Sequence, residues 1–99
     1  MEKVLTNFIS ETKMVLTNDE GKIMSIINVP KSNSKDDQVD ISDKLILGIK
    51  KDMSFDKVEI TKGFKATEYD YIIVFTCLCT DEDGEEFEYE YTLIKTAEY

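Results

Sequence analysis

The sequence predicts an α+β domain: a mainly antiparallel sheet of about five strands, arranged as two hairpins, with one or two helices packed on it. Three observations carry this. Residues 69–95 alternate apolar and polar positions over two long segments, the period of half-buried strands. One turn pattern, Thr followed by a polar-acidic run and Gly, occurs twice: Thr17-Asn18-Asp19-Glu20-Gly21 and Thr80-Asp81-Glu82-Asp83-Gly84. And Ile41, Leu45, Ile46, Ile49 and Met53 recur at the spacing of one helix face. The chain has 99 residues, 41% of them apolar. That length suits one compact domain over residues 1–99, burying roughly 60–65% of the surface its unfolded chain exposes.

Val4, Leu5, Phe8 and Ile9 begin a helical stripe, so a helix is expected over residues 2–10. Strands are expected over 12–17 and 22–29, joined by the first of the two turns. Pro30 ends the second strand, and residues 31–38, KSNSKDDQ, contain nothing apolar and predict a flexible surface loop. A helix follows over 41–52. Asp40 is its expected N-cap, Asp43 stands three residues on, and Lys50 and Lys51 lie where the helix dipole favours cations. A strand over 55–62 ends at Gly63 and leads by a short loop into the long hairpin.

In that hairpin Tyr69, Tyr71, Ile73, Phe75, Cys77 and Cys79 share one face of the first strand, and Phe87, Tyr89, Tyr91 and Leu93 share one face of the second. A three-residue loop, Glu82-Asp83-Gly84, with glycine in the left-handed region, sets Cys79 opposite Phe87, Cys77 opposite Tyr89, Phe75 opposite Tyr91 and Ile73 opposite Leu93. A two-residue turn would slip the register by one and drive carboxylates onto the aromatic face. Tyr71, Tyr89 and Tyr91 are expected in the core with hydroxyls at its rim; Tyr69 and Tyr99 complete the tyrosines of this acidic third. The two cysteines point the same way on one strand. This is a poor disulfide geometry, and they read as reduced, buried small hydrophobes.

Charge is distributed unevenly. From residue 68 onward there are ten acidic residues and one lysine, Lys95, an imbalance equal to the whole net charge of −9. Residues 44–65 carry six lysines against three acids. The chain contains no histidine, and all of its basic residues are lysine. That removes Ser-His and Cys-His nucleophile pairs, imidazole metal ligands and the bidentate arginine fork. No enzyme activity and no cofactor are expected. The N-terminus lacks the basic start and continuous apolar core of a signal peptide, and no apolar run spans a membrane. A soluble cytoplasmic protein is the expectation.

The candidate site is the acidic hairpin. Glu86, Glu88 and Glu90 stand on one face at about 6.6–6.8 Å intervals, and Asp81, Glu82, Asp83 and Glu85 cluster at the turn. Such a row imitates nucleic-acid phosphates in a basic groove; as a plain solvated face it would instead guard the strand against aggregation. Asp81 to Glu86 depart from a calcium loop of the helix-loop-helix kind, since Gly84 comes fourth and strands flank it. Cys77 and Cys79 supply too few ligands for zinc. The carboxylate-x-lysine fragments at Glu11-Thr12-Lys13 and Glu20-Gly21-Lys22 lack the partner carboxylates of a nuclease.

The function expected is a non-enzymatic inhibitor. Its partner would be a basic protein that handles nucleic acid, with no direct nucleic-acid or membrane binding by this chain. In size and charge it resembles phage-encoded anti-CRISPR proteins and the immunity proteins of nuclease toxins; no residue motif accompanies the resemblance, so no residue's role is carried over. The alternatives are a structural protein that self-associates head to tail through its lysine-rich and acidic segments, and a small-ligand or metal-binding module.

Overall fold

The computed structural model describes residues 2–96, so Glu98 and Tyr99 lie outside the described residues. The elements run β1 (Val4–Asn7), β2 (Thr12–Thr17), β3 (Ile23–Val29), β4 (Val39–Asp40), α1 (Ser42–Met53), β5 (Lys57–Lys62), β6 (Phe64–Thr67), β7 (Ile72–Thr80) and β8 (Glu86–Lys95). The fold is α+β: one helix packed with a five-stranded antiparallel sheet in the order β3-β2-β8-β7-β5, beside a three-stranded sheet in the order β4-β1-β6.

Two turns of the same construction build the large sheet. In β2–β3, Asn18 Oδ1 accepts the N–H groups of Glu20 at 3.0 Å and Lys22 at 2.9 Å. In β7–β8, Asp81 Oδ1 accepts those of Asp83 and Glu85, both at 2.9 Å. Each short polar side chain thereby supplies the acceptor that the turning backbone lacks. Gly21 and Gly84 close the turns at φ of 80° and 81°, a region that costs glycine nothing. With the second turn closed on three residues, β7 and β8 pair in the expected register, Cys79 with Phe87 through Ile73 with Leu93.

The expected helix over residues 2–10 is instead β1, pairing parallel with β6 and antiparallel with β4. Val4 and Thr6 turn inward with period two, and Phe8 is buried just beyond the strand. The helical stripe is present in the sequence, but two strands distant in the chain satisfy β1's backbone from both sides, and that pairing overrides local spacing. The segment after Gly63, expected to be a short loop, is the strand β6, and Gly63 does not end the pairing. It is a corner, where the chain leaves the large sheet for the small one.

The helix starts at Ser42, with Ile41 in the cap position and no side-chain cap, so Asp40 is not the N-cap. It ends β4, and its carboxylate accepts the Ser42 N–H at 2.9 Å. Hydrogen bonding from Ser42 is the main cause that holds the Asp40 carboxyl below its ordinary range, helped by Lys3 and opposed by desolvation. Ser42 Oγ accepts the Val4 N–H at 2.9 Å and ties the helix start to β1. At the other end Ser54 takes the left-handed conformation, φ 55°, and donates to the Lys50 carbonyl. Gly48 lets the helix lie close on β2 and β3: a Cβ there would stand 3.2 Å from Leu16 Cδ2 and 3.5 Å from Ser25 Cβ.

Leu45 and Ile49 are wholly buried on the inner side of the helix, while Ile46 packs at the margin of the core. Leu45→Ala is expected to cost about 2–4 kcal/mol as a cavity-forming change. Denaturant unfolding with an unchanged m-value checks it, and a loss below about 0.5 kcal/mol would show that the site carries no packing.

Residues 31–38 are tied back to β1. The Ser32 N–H donates to the Phe8 carbonyl at 2.8 Å, and Asn7 Nδ2 donates to the carbonyls of Lys35 and Asp37. Tyr71, expected in the core, is 70% exposed, and Tyr69, expected on the same face of the strand, is 82% exposed. A turn over residues 67–70, in which Asp70 accepts the Thr67 N–H and returns its own N–H to the Thr67 carbonyl, delays the sheet until Ile72. Both tyrosines therefore precede the register that buries Ile73 and Phe75. The helix and the small sheet cover the inner face of the large sheet; among the described residues no element covers its outer face.

Candidate protein-binding surface

The β7–β8 hairpin is two-faced because strand side chains alternate. Its outer face carries Glu86, Glu88 and Glu90, all exposed, opposite Thr80, Leu78 and Thr76 of β7. Glu82, Asp83 and Glu85 are also exposed at the turn. Asp81 differs from them, since its carboxylate already serves as acceptor for the turn's own backbone. The structure thus places six of the seven acidic residues as free carboxylates on one end of the molecule and makes the seventh their support.

None of them is ion-paired among the described residues. Among the described residues the ion pairs are Lys3 with Asp40 at 3.8 Å and Lys57 with Glu59 at 4.0 Å, neither of which involves the hairpin acids. Lys95 is occupied elsewhere: its ammonium donates to the Glu68 carbonyl and lies 4.7 Å from the centre of the Phe8 ring and 5.2 Å from that of Tyr71. The cation contact gives the Tyr71 ring, kept outside the core by the turn at Asp70, a partner at the surface. With Lys95 engaged there, no lysine among the described residues is ion-paired with the acidic row, and the nearest cations on the same outer face, Lys57 and Lys62, stand two strands away opposite Thr80 and Thr76.

The inner face carries a run of aromatic rings: Phe75 and Tyr91 at 5.8 Å between centroids, Tyr91 and Tyr89 at 6.4 Å, then Tyr89 with both Phe87 and Phe55 at 6.0 Å. Tyr91 is buried, Tyr89 half-buried and Phe87 38% exposed, so the run leads from the core out to the hairpin tip. Beside it Asp19, Glu20, Lys22, Met24, Met53 and Tyr89 are among the residues that line a cleft of about 300 Å³. Sequence reasoning missed Asp19 and Glu20 as neighbours of this end. The repeated turn motif was the available signal, since two like turns in one antiparallel sheet bring their acids to related positions.

Cys77 and Cys79 are free and buried. Burial pushes the Cys77 thiol up to about 12, and the neighbouring Cys79 adds to the effect. Burial also raises Cys79, whose Sγ lies 3.6 Å from Tyr91 Oη, and desolvation raises the Tyr91 phenol. Neither thiol is expected to react with a thiol reagent at pH 8 until the chain unfolds; fast labelling of the native protein would refute their burial. With the folded-state value raised, the unfolded chain ionises first, so these groups lower stability progressively from about pH 9 towards 12.

Among the described residues no group of three or more His, Cys, Asp or Glu is arranged to hold a metal ion, and no helix is long and apolar enough to cross a membrane. The chain has no imidazole to set beside the acidic array, and the nearest hydroxyls by register are those of Thr76 and Thr80. What it offers chemically is a set of fixed carboxylates facing solvent. No family model, curated protein or solved structure matches the chain.

Proposed function

We propose that this protein is a non-enzymatic inhibitor that occupies the basic groove of a nucleic-acid-handling protein with its β7–β8 hairpin. The observation that supports this reading is the row of Glu86, Glu88 and Glu90, exposed, held at strand spacing on the long central hairpin and unpaired with any cation among the described residues. Side chains on a regular strand keep their spacing without paying the ordering entropy that a flexible acidic tail pays on binding. Glu82, Asp83 and Glu85 extend the charge around the tip. The partly exposed ring of Phe87 adds an aromatic contact of the kind that anchors protein interfaces.

The test is affinity capture from the native host with the wild-type chain and with the E86Q/E88Q/E90Q variant as baits, read by mass spectrometry. A basic nucleic-acid-binding protein retained by the wild type alone, competed off by DNA or RNA and released as salt rises, supports the reading. Equal capture by both baits would remove the hairpin as the recognition surface.

A further inference from the structure

The outer face of the large sheet carries a second feature beside the glutamates. By register Ile26, Val15, Ile94 and Ile72 form one row across β3, β2, β8 and β7. In the adjacent row Ile23, Thr17, Thr92 and Val74 line up the same way. Ile72, Ile26, Ile23, Val74 and Ile94 are each between 39% and 64% exposed. Solvent-facing positions of an antiparallel sheet are ordinarily polar, and contiguous apolar patches of this kind mark association surfaces.

We propose that this face is a two-fold self-association surface, with a second copy of the chain packed sheet on sheet about 10 Å away. This goes beyond the inhibitor reading and does not depend on it. Charge selects both the occupant and the orientation. Passing along the outer face, Lys13 stands one row before the aliphatic rows and Glu90 one row after them, followed by Glu88 and Glu86. An in-plane two-fold axis parallel to the strands would stack the two glutamate rows on each other. An axis perpendicular to the strands, between the aliphatic rows, reverses the row order instead. Aliphatic rows then face aliphatic rows, Lys13 of each copy comes over the neighbourhood of Glu90 of the other, and Glu86 and Glu88 project at opposite ends, clear of the contact.

Four strands by two rows, with the flanking rows, give a footprint of roughly 400–600 Å² per copy. That lies at the low end of specific interfaces, so a weak dimer with a dissociation constant of about 10–500 µM is expected.

Sedimentation equilibrium on the full chain from about 10 µM to 1 mM tests this. The average mass is expected to rise from 11.4 kDa towards twice that value and stop. Raising the salt should strengthen the dimer, because two chains of net charge −9 repel. Ile72→Glu and Val74→Asp, both at already exposed positions, should each weaken it at least tenfold with unchanged circular dichroism, whereas Leu47→Glu, 67% exposed on the helix, should not. Lys13→Glu should weaken it, and K13E/E90K should restore it, a rescue that a general fold defect would not produce. A monomer throughout the range overturns the proposal, as does a dimer indifferent to both outer-face variants. Growth past the dimer that weakens with salt identifies head-to-tail assembly and overturns it equally.

Discussion

Gly63→Ala is expected to lower the unfolding free energy by about 3 kcal/mol or more, a larger effect than most core truncations in so small a domain. Gly63 stands at the corner between β5 and β6, where the chain crosses against the start of β1. A Cβ at this position would lie well inside contact distance of the Lys3 carbonyl oxygen and within 2.8 Å and 2.9 Å of the Lys3 carbonyl carbon and nitrogen. The obstacle is backbone, which has no rotamer to escape into. The next residue's N–H donates to that same carbonyl, at 3.1 Å, so a shift of β1 away from the new methyl group also strains the parallel β1–β6 pairing. Denaturant unfolding of the variant reads the cost. The comparison is Gly21→Ala, where a Cβ would meet nothing within 4 Å but φ is 80°, so only the milder conformational penalty applies. If Gly63→Ala cost no more than Gly21→Ala, the close crossing of β1 would be refuted.

The E86Q/E88Q/E90Q variant is expected to bind the captured partner at least 10²-fold more weakly while folding normally, because each charge contact at a partly desolvated interface contributes on the order of 1–2 kcal/mol. Stability should hold or rise slightly, since like charges along one strand repel. The control must remove the same charge from residues that do no structural work. Asp40 and Asp37 are unsuitable, because Asp40 accepts the Ser42 N–H and Asp37 accepts that of Asn33. Glu11, Asp36 and Asp52 are exposed, and Asp52 sits at the helix C-terminal end, where a negative charge is unfavourable in any case. Isothermal titration of the two triple variants against the partner decides the matter. If both lose affinity equally, bulk charge is responsible, and the hairpin has no privileged role.

Several features could be read from the chain alone because each is local. The β7–β8 register follows from alternation plus one glycine in a three-residue turn, since any slip would bury Glu88 and Glu90. The repeated motif at Asn18 and Asp81 specifies two turns because the capping oxygen, the bonded amides and the left-handed glycine all lie within five residues. The helix carries its own amphipathic stripe. The acidic candidate site was legible for the same reason, as alternate positions of a single strand. Other features were decided only by tertiary structure, and each depends on partners far away in sequence. Val4, Leu5, Phe8 and Ile9 suit a helix until β4 and β6 claim the backbone of residues 4–7. Asp40 has the right chemistry for a cap, but its pairing in β4 makes it the residue before the cap. Tyr69 and Tyr71 keep the period of the strand, yet the turn at Asp70 sets where pairing begins. The aliphatic rows of the outer face exist only when β3, β2, β8 and β7 lie side by side, because no one strand holds more than two of their residues. Local physics chose the pieces, and non-local backbone pairing chose which face of each piece meets water.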